Sequence, residues 1–258
     1  MVKNSLSVDL ESFIYRELDP HKRKKDDGYT PRATSQILNL LDTHNTKITF
    51  FILGEIYEQY PELVDEIRKR GHEIGYHGHT HQQIMSKEIL LEELERSAVF
   101  IKKFKPIGFR APRMYLPMEC LEVLSSYGFT YDSSIYGGIP FKTGGMVEVP
   151  VSAWSPWSIS AKFPRSLMSL VLSMGIPYGS GLSFALFGKL ISRFVERENK
   201  EGNSSILFVH PWQFMPYTLV TGKNRFLSML IYRTNINNTF EYLLKRHMFV
   251  PMRELVKA

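Results

Sequence analysis

The 258-residue chain holds a single cysteine, Cys120. One thiol excludes an intrachain disulfide and fits a reducing compartment; here it reads as a small buried hydrophobe on a helix. A long apolar run is also missing. The greasiest region, Leu167 to Ile191, is broken by Gly175, Pro177, Gly179, Gly181 and Gly188, whereas a membrane-spanning helix needs about 20 mostly apolar residues. Met1-Val-Lys-Asn4 runs at once into Ser5-Leu-Ser-Val-Asp-Leu-Glu11, without the roughly 7–15-residue apolar segment of a secretory leader. The expected location is therefore cytoplasmic, with peripheral contact at the inner membrane face through residues 155–190 as an added expectation. The main cationic run, His21-Lys-Arg-Lys-Lys25, has no interleaved aromatic and is followed by Asp26 and Asp27. A single-strand surface wants stacking rings among its charges, so nucleic acid is not an expected partner despite a net charge of +6. No internal repeat or linker divides the chain. One domain over 1–258 is expected, with a core at about 5–215 and a C-terminal helical extension at about 216–258.

A hydrophobic content of 43% with 22% charged residues describes a globular protein with a substantial core. Within it, Glu73-Ile-Gly-Tyr-His-Gly-His-Thr-His81 is the most informative segment: it carries three of the eight histidines. His77 and His81 lie four apart, so one helical turn would bring both imidazoles to one face. Two neutral imidazoles presented together suit zinc or a similar borderline ion. An ion with few protein ligands and an open position activates water, which makes a hydrolase the first functional expectation. A solvated His-rich loop is the competing reading at this point. A third ligand, a carboxylate from another strand end, would decide between them.

Short apolar runs alternate with helix-like segments. Strands are expected at 5–9, 47–53, 72–76, 107–110, 129–133, 146–151 and 205–210, and helices at 31–44, 55–70, 87–103, 117–127, 184–198 and 235–246. The alternation argues for a parallel sheet, and so many units favour a closed β/α barrel over an open sheet. In such a barrel the chemistry gathers at the C-terminal strand ends. Asp9 and Glu11 end the first strand, His77 the third, Arg110 the fourth, Asp132 the fifth, and His210 the late apolar strand. Six polar groups from five strand ends argue for an enzyme.

These residues carry a family likeness. Ser7-Val-Asp-Leu-Glu11, His77-Gly-His-Thr-His81, Arg110-Ala-Pro-Arg-Met-Tyr115, Tyr131-Asp-Ser-Ser-Ile135 and Leu207-Phe-Val-His-Pro-Trp212 resemble, in order, five motif blocks of the polysaccharide deacetylases. Gly179-Ser-Gly-Leu-Ser-Phe184, His210-Pro-Trp-Gln213 and Phe249-Val-Pro-Met-Arg-Glu-Leu255 resemble the subgroup linked to exopolysaccharide and surface-glycan biosynthesis. The resemblance implies an α/β fold, a distorted (β/α) barrel of seven strands, and metal-dependent removal of N-acetyl groups from amino sugars. A lipid-linked or nucleotide-linked glycan precursor is the substrate that the expected location favours. An allantoinase-like amidohydrolase acting on a small amide is the alternative within the fold, and a non-catalytic glycan-binding protein a third reading.

Carried over residue by residue, the resemblance makes His77 and His81 the imidazole ligands of a divalent ion, most simply Zn2+, with Co2+, Ni2+ or Mn2+ as substitutes. The family's first block has two adjacent aspartates, whereas this chain has Asp9-Leu-Glu11. Residues two apart on a strand point the same way, so both carboxylates still reach the site. Asp9 is assigned as general base and Glu11 as metal ligand, with the reverse assignment as the alternative. His210 becomes the proton donor to the leaving amine, Arg110 the partner of the base, and Asp132 a support for an acid–base residue. Tyr115 and Trp212 are the candidate substrate contacts, and Trp154 and Trp157 are aromatic core residues or further stacking platforms. His79 should point away from the metal. The expected partner is an N-acetylated saccharide; the oligomeric state is not legible.

Overall fold

Strand β1 (Lys3–Leu10) is buried from Asn4 onward, as a strand covered on both faces must be. Its alternate residues go to different places. Leu6, Val8 and Leu10 join the large apolar cluster beneath the helices, while Ser7 and Asp9 turn to the other face, where Arg110 meets them. Strand β2 (Thr49–Ile52) divides likewise. Phe50 and Ile52 enter the helix-side cluster, and Phe51 packs with Tyr131, Val149, Ile206 and Met252 in a separate cluster on the inner side. Two covered faces explain why these strands read as continuous apolar runs rather than alternating ones.

The computed structural model describes residues 1–12, 28–154, 175–215 and 235–256. The basic run 21–25, Trp157, residues 155–174 of the expected membrane-facing region and 216–234 of the C-terminal extension lie outside the described residues. The remaining elements are α1 (Tyr29–Thr43), α2 (Gly54–Gln59), α3 (Pro61–Lys69), β3 (Glu73–Tyr76), α4 (Lys87–Arg96), α5 (Ala98–Phe104), β4 (Gly108–Phe109), α6 (Cys120–Ser126), β5 (Tyr131–Asp132), β6 (Tyr136–Gly137), β7 (Phe141–Thr143), β8 (Met146–Glu148), β9 (Val151–Ser152), α7 (Gly181–Phe187), α8 (Ile191–Lys200), β10 (Ile206–Val209), α9 (Asn237–Arg246), β11 (Met248–Val250) and α10 (Arg253–Val256). Among the described residues, no helix is long and apolar enough to cross a membrane.

Seven strands run parallel in the order β10-β1-β2-β3-β4-β5-β8. This is the expected parallel ring, and β7 adds an antiparallel hairpin on β8. The ring closes through Gly179 and a direct bond from Ile206 N to Ser152 Oγ at 2.8 Å instead of a strand ladder. Gly179 donates its N–H to Ser152 O at 2.9 Å and accepts from Phe208 N at 2.8 Å, stitching β9 to β10. A Cβ there would sit 2.3 Å from the Ile206 carbonyl oxygen, so only glycine fits this seam.

Four expectations need correction. The helix expected over 184–198 divides at Gly188, whose φ of +51° ends α7 at Phe187 before α8 begins at Ile191. The helix expected over 55–70 divides at Tyr60, because the residue before a proline is pushed out of the helical region, here by Pro61. The helix over 87–103 is interrupted at Ser97, whose hydroxyl bonds Tyr76 and His79. The C-terminal extension is not purely helical, since β11 adds a parallel strand beside β1. It also closes the ring end opposite the strand C-termini: Met252 N donates to Thr49 Oγ1 at 2.8 Å, and Arg253 N to the buried Glu73 carboxylate at 3.0 Å. Cys120 is buried on α6, where burial pushes its thiol up to about 11.

Candidate active site

The histidine segment leaves β3 as an irregular bend rather than a helical turn. Gly78 and His81 both take left-handed backbone angles, at φ +84° and +60°, and this returns the chain so that the His77 and His81 rings lie 5.6 Å apart. The bend is held from α4. The buried Glu93 carboxylate accepts from His79 N at 2.6 Å, Thr80 N at 2.9 Å and Thr80 Oγ1 at 2.8 Å. His79 is buried and turns away from the other two rings, with Nδ1 3.0 Å from Ser97 Oγ.

Glu11 lies just past the end of β1, where its N–H bonds back to Asp9 O. Its carboxylate pairs with His81 Nε2, and its other oxygen lies 3.3 Å from His210 Nε2. Donor atoms of Glu11, His77 and His81 all fall within 4.8 Å of one another, and all three residues are buried. His77 Nδ1 sits 2.7 Å from the Arg110 carbonyl, which takes that N–H and leaves the Nε2 lone pair for an ion. Burial pushes the His77 imidazole down to about 4, so the ring is in the neutral form that a metal requires. One carboxylate and two imidazoles of this kind fit a borderline divalent cation.

Asp9 has a different partner. Arg110 is fully buried and makes four side-chain bonds: Nε to Ser133 O at 2.9 Å, Nη1 to Ser7 Oγ at 2.8 Å and Asp9 Oδ1 at 2.7 Å, and Nη2 to Ser133 Oγ at 2.8 Å. Its guanidinium also lies over the Phe51 and Phe208 rings, 4.3 and 5.0 Å from their centroids. The two carboxylates of the Asp9-Leu-Glu11 block are thus divided between a guanidinium and a pair of imidazoles.

His210 follows β10 and begins the 3-10 turn Pro211–Gln213. Its ring stacks on Trp212 at 4.3 Å and 16°. Trp212 is only 1% exposed, so it backs the imidazole instead of offering a saccharide an open face, as had been expected of it. Tyr115 is 41% exposed and follows a turn in which Arg113 and Met114 both have positive φ. Trp154 packs against the helix-side core.

Asp132 is buried at the end of β5. Ser134 Oγ donates to Asp132 Oδ1 at 2.6 Å while accepting from Ala111 N at 2.8 Å. Asp132 is also the register partner of Glu148 on β8. Burial raises both acids, and the Asp132 charge pushes Glu148 further, well above the usual carboxylate range. Two buried acids side by side disfavour a second charge, which is the physical cause of both upward shifts.

Sequence reasoning missed Ser7, Glu93, Ser133, Glu148 and Gln213. Glu93 had a legible signal, because it falls on the apolar stripe of its helix between the buried Leu90 and Leu94. Gln213 had the His210-Pro-Trp-Gln213 spacing, three residues from its partner His210, whereas Glu148 had no signal, its neighbour Asp132 lying on another strand.

The polysaccharide deacetylase family model matches residues 25–131. A peptidoglycan-N-acetylglucosamine deacetylase from Bacillus cereus is 36% identical over 110 residues, which are 40% of this chain and 51% of that protein. The chain spans about half, or less, of the length of the curated relatives it matches. Among solved structures, a Mycobacterium smegmatis protein described as a polysaccharide deacetylase aligns at a TM-score of 0.65 with 17% identity, covering 99% of this chain and 88% of that one. A family 4 carbohydrate-esterase pseudoenzyme from Bacillus anthracis aligns at 0.51 with 12% identity, covering 98% and 65%. These structural likenesses are of fold. Since a pseudoenzyme shares it, the case for activity rests on the side chains.

Proposed function

We propose that the chain, whose residues 25–131 match the polysaccharide deacetylase family model, is a metal-dependent hydrolase. It would remove the acetyl group from an acetamido substituent of an amino-sugar glycan, releasing acetate and a free amine. The observation that carries this reading is the placement of three kinds of group at one ring end. The Glu11–His77–His81 donor set, the Asp9–Arg110 ion pair and the His210 imidazole all meet there. A saccharide-binding protein needs neither a held base nor a second proton-bearing group.

Glu11, His77 and His81 would hold the ion, with Zn2+ as the first choice and Co2+, Ni2+ or Mn2+ as substitutes. When bound, such an ion supplies Lewis acidity and lowers the pKa of water toward ~7. Asp9 takes the proton of the attacking water, and Arg110 holds its carboxylate in place. The water oxygen bonds to the amide carbon. His210 then delivers a proton from Nε2 to the nitrogen as the C–N bond breaks. Proton transfers by placed groups of this kind contribute typically ~10²–10⁴-fold each. N-acetylglucosamine residues are the favoured substrate, on the strength of the Bacillus cereus relative's name.

The test is metal content together with acetate release from N-acetylglucosamine oligomers and peptidoglycan fragments. Stoichiometric zinc and saccharide-dependent acetate are expected, both lost in His77→Ala. A protein that takes up no divalent ion, or an unchanged rate in His77→Ala, would overturn the mechanism. Hydrolysis of small cyclic amides without any saccharide turnover would replace the substrate class.

A further inference from the structure

The turn Gly188–Leu190 joins α7 to α8 and leaves side chains of two kinds on the surface. Leu186 and Leu190 are each 49% exposed, and Lys189 and Arg193 are exposed beside them. A lone exposed leucine is ordinary. Here two leucines have one cation between them and another three residues on. Helix α9 adds to this face. Lys189 Nζ and the exposed Arg246 guanidinium both lie over the Tyr242 ring, 5.2 and 4.6 Å from its centroid. One ring thus gathers two like charges. The acids of these helices are engaged elsewhere: Glu241 pairs with Lys245 at 2.7 Å and stands 3.8 Å from His44 Nε2, and Glu196 accepts from Ser192 Oγ at 3.0 Å. From Gly181 to Val195 the chain has no acidic residue. Among the described residues, Lys189, Arg193 and Arg246 have no carboxylate partner.

We propose that this face docks on an anionic lipid bilayer, with Leu186 and Leu190 entering the apolar boundary and Lys189, Arg193 and Arg246 at the lipid phosphates. Like charges gathered on one face repel one another, and an anionic plane relieves that repulsion. A soluble polyanion would satisfy the cations and leave both leucines in water. A bilayer satisfies both kinds of group, because its headgroups carry the charge and its apolar layer begins just beneath them. The face also lies near the reacting end of the ring. Helix α7 begins there, where Gly181 O accepts from Gln213 Nε2 at 2.6 Å. Leu186 follows Gly181 by about 7.5 Å of helix rise. Docking is a property beyond the deacetylase reading and does not depend on it.

The test is sedimentation of the full chain with vesicles of phosphatidylcholine, alone or mixed with phosphatidylglycerol, at low and physiological salt. Binding to the mixed vesicles is expected, weakened by salt and absent with phosphatidylcholine alone. One cation near an anionic leaflet strengthens partitioning roughly fivefold, so Lys189→Gln combined with Arg246→Gln should weaken it about 25-fold. Leu186→Ser combined with Leu190→Ser should weaken it about tenfold or more. All four side chains are exposed, so both variants should melt with wild type. Lys69→Gln combined with Lys102→Gln removes the same charge from exposed positions on α3 and α5 and should change binding little. A wild-type chain that ignores phosphatidylglycerol overturns the proposal, as does equal loss of binding in the α3–α5 control. Loss on removing the cations but not the leucines points to a soluble polyanion and overturns the bilayer as occupant. The measurement needs neither metal nor turnover, so its failure is distinct from failure of the deacetylase reading.

Discussion

The Arg110 guanidinium meets Asp9 Oδ1 across 2.7 Å with both side chains buried, while the Arg110 carbonyl meets His77 Nδ1 across 2.7 Å. One residue therefore serves the proposed base through its side chain and a proposed metal ligand through its backbone. Substitution separates the two, because a new side chain leaves the carbonyl in place.

Arg110→Lys keeps the charge but cannot span Ser7, Asp9 and Ser133 at once, since an ammonium is a point donor where the guanidinium is a fork. The expected outcome is a fall in kcat of at least ~10-fold, with zinc affinity changed by no more than a few-fold. Arg110→Ala, which leaves Asp9 buried beside no cation, is expected to cost about 3–5 kcal/mol in denaturant unfolding. Parallel loss of zinc affinity and rate in the Lys variant would contradict the division of roles.

Glu93 touches no proposed ligand, yet three donors of the histidine bend end on its carboxylate. Glu93→Gln puts an amide N–H2 where one of the acceptor oxygens stood. Zinc affinity by titration calorimetry is expected to fall ~10–100-fold, as for other residues that orient metal ligands. An unchanged affinity would mean that the bend keeps its shape without α4.

Burial and the neighbouring Asp132 charge raise the Glu148 carboxyl well above its ordinary value of 4.5. A raised acid contributes stability that is full below its unfolded pKa and declines as pH rises toward its folded one. Glu148→Gln supplies a permanent N–H donor to Asp132, so its stability should lie within about 1 kcal/mol of wild type near pH 5. It should overtake wild type as the pH rises. Denaturant midpoints across that range check the sign, and a variant that loses ground with rising pH would refute the raised Glu148 carboxyl.

His72 is buried beside Phe50 and accepts from Ile48 N through Nδ1 at 3.2 Å. Burial pushes it from 6.5 down to about 4. The unfolded chain therefore binds a proton that the folded one refuses, and the stabilisation present above pH 6.5 is lost between that pH and about 4. At about 1.36 kcal/mol per pH unit, the loss is on the order of 3 kcal/mol. His72→Gln keeps an acceptor for Ile48 and does not titrate, so its unfolding free energy should fall less on acidification. Equal acid slopes in the two proteins would refute this account.

Much of the ring was legible because parallel strands covered on both sides must be apolar at nearly every position, as in Thr49–Ile52 and Ile206–Val209. Very short strands such as Tyr136–Gly137 were not, since two residues make no pattern. The helix breaks at Tyr60 and Ser97 show the same limit. Pro61 was visible in the sequence, whereas the use of Ser97 by Tyr76 and His79 was not.

For the site, residue types and strand-end placement were enough to select Asp9, Glu11, His77, His81, Arg110 and His210, because ionisable groups that follow buried strands emerge together at one ring end. The tertiary structure decided how they pair. The spacing of His77 and His81 suggested a helical turn, and the chain instead uses left-handed angles at Gly78 and His81 clamped by Glu93. The Asp9-Leu-Glu11 block left base and ligand interchangeable. Packing puts the guanidinium on one carboxylate and the imidazoles on the other. Local sequence determines which groups arrive at the ring end; hydrogen-bond partners more than 60 residues away, such as Arg110 for Asp9 and Glu11 for His81, determine which proton or ion each can hold, because charge state is set by neighbours in space.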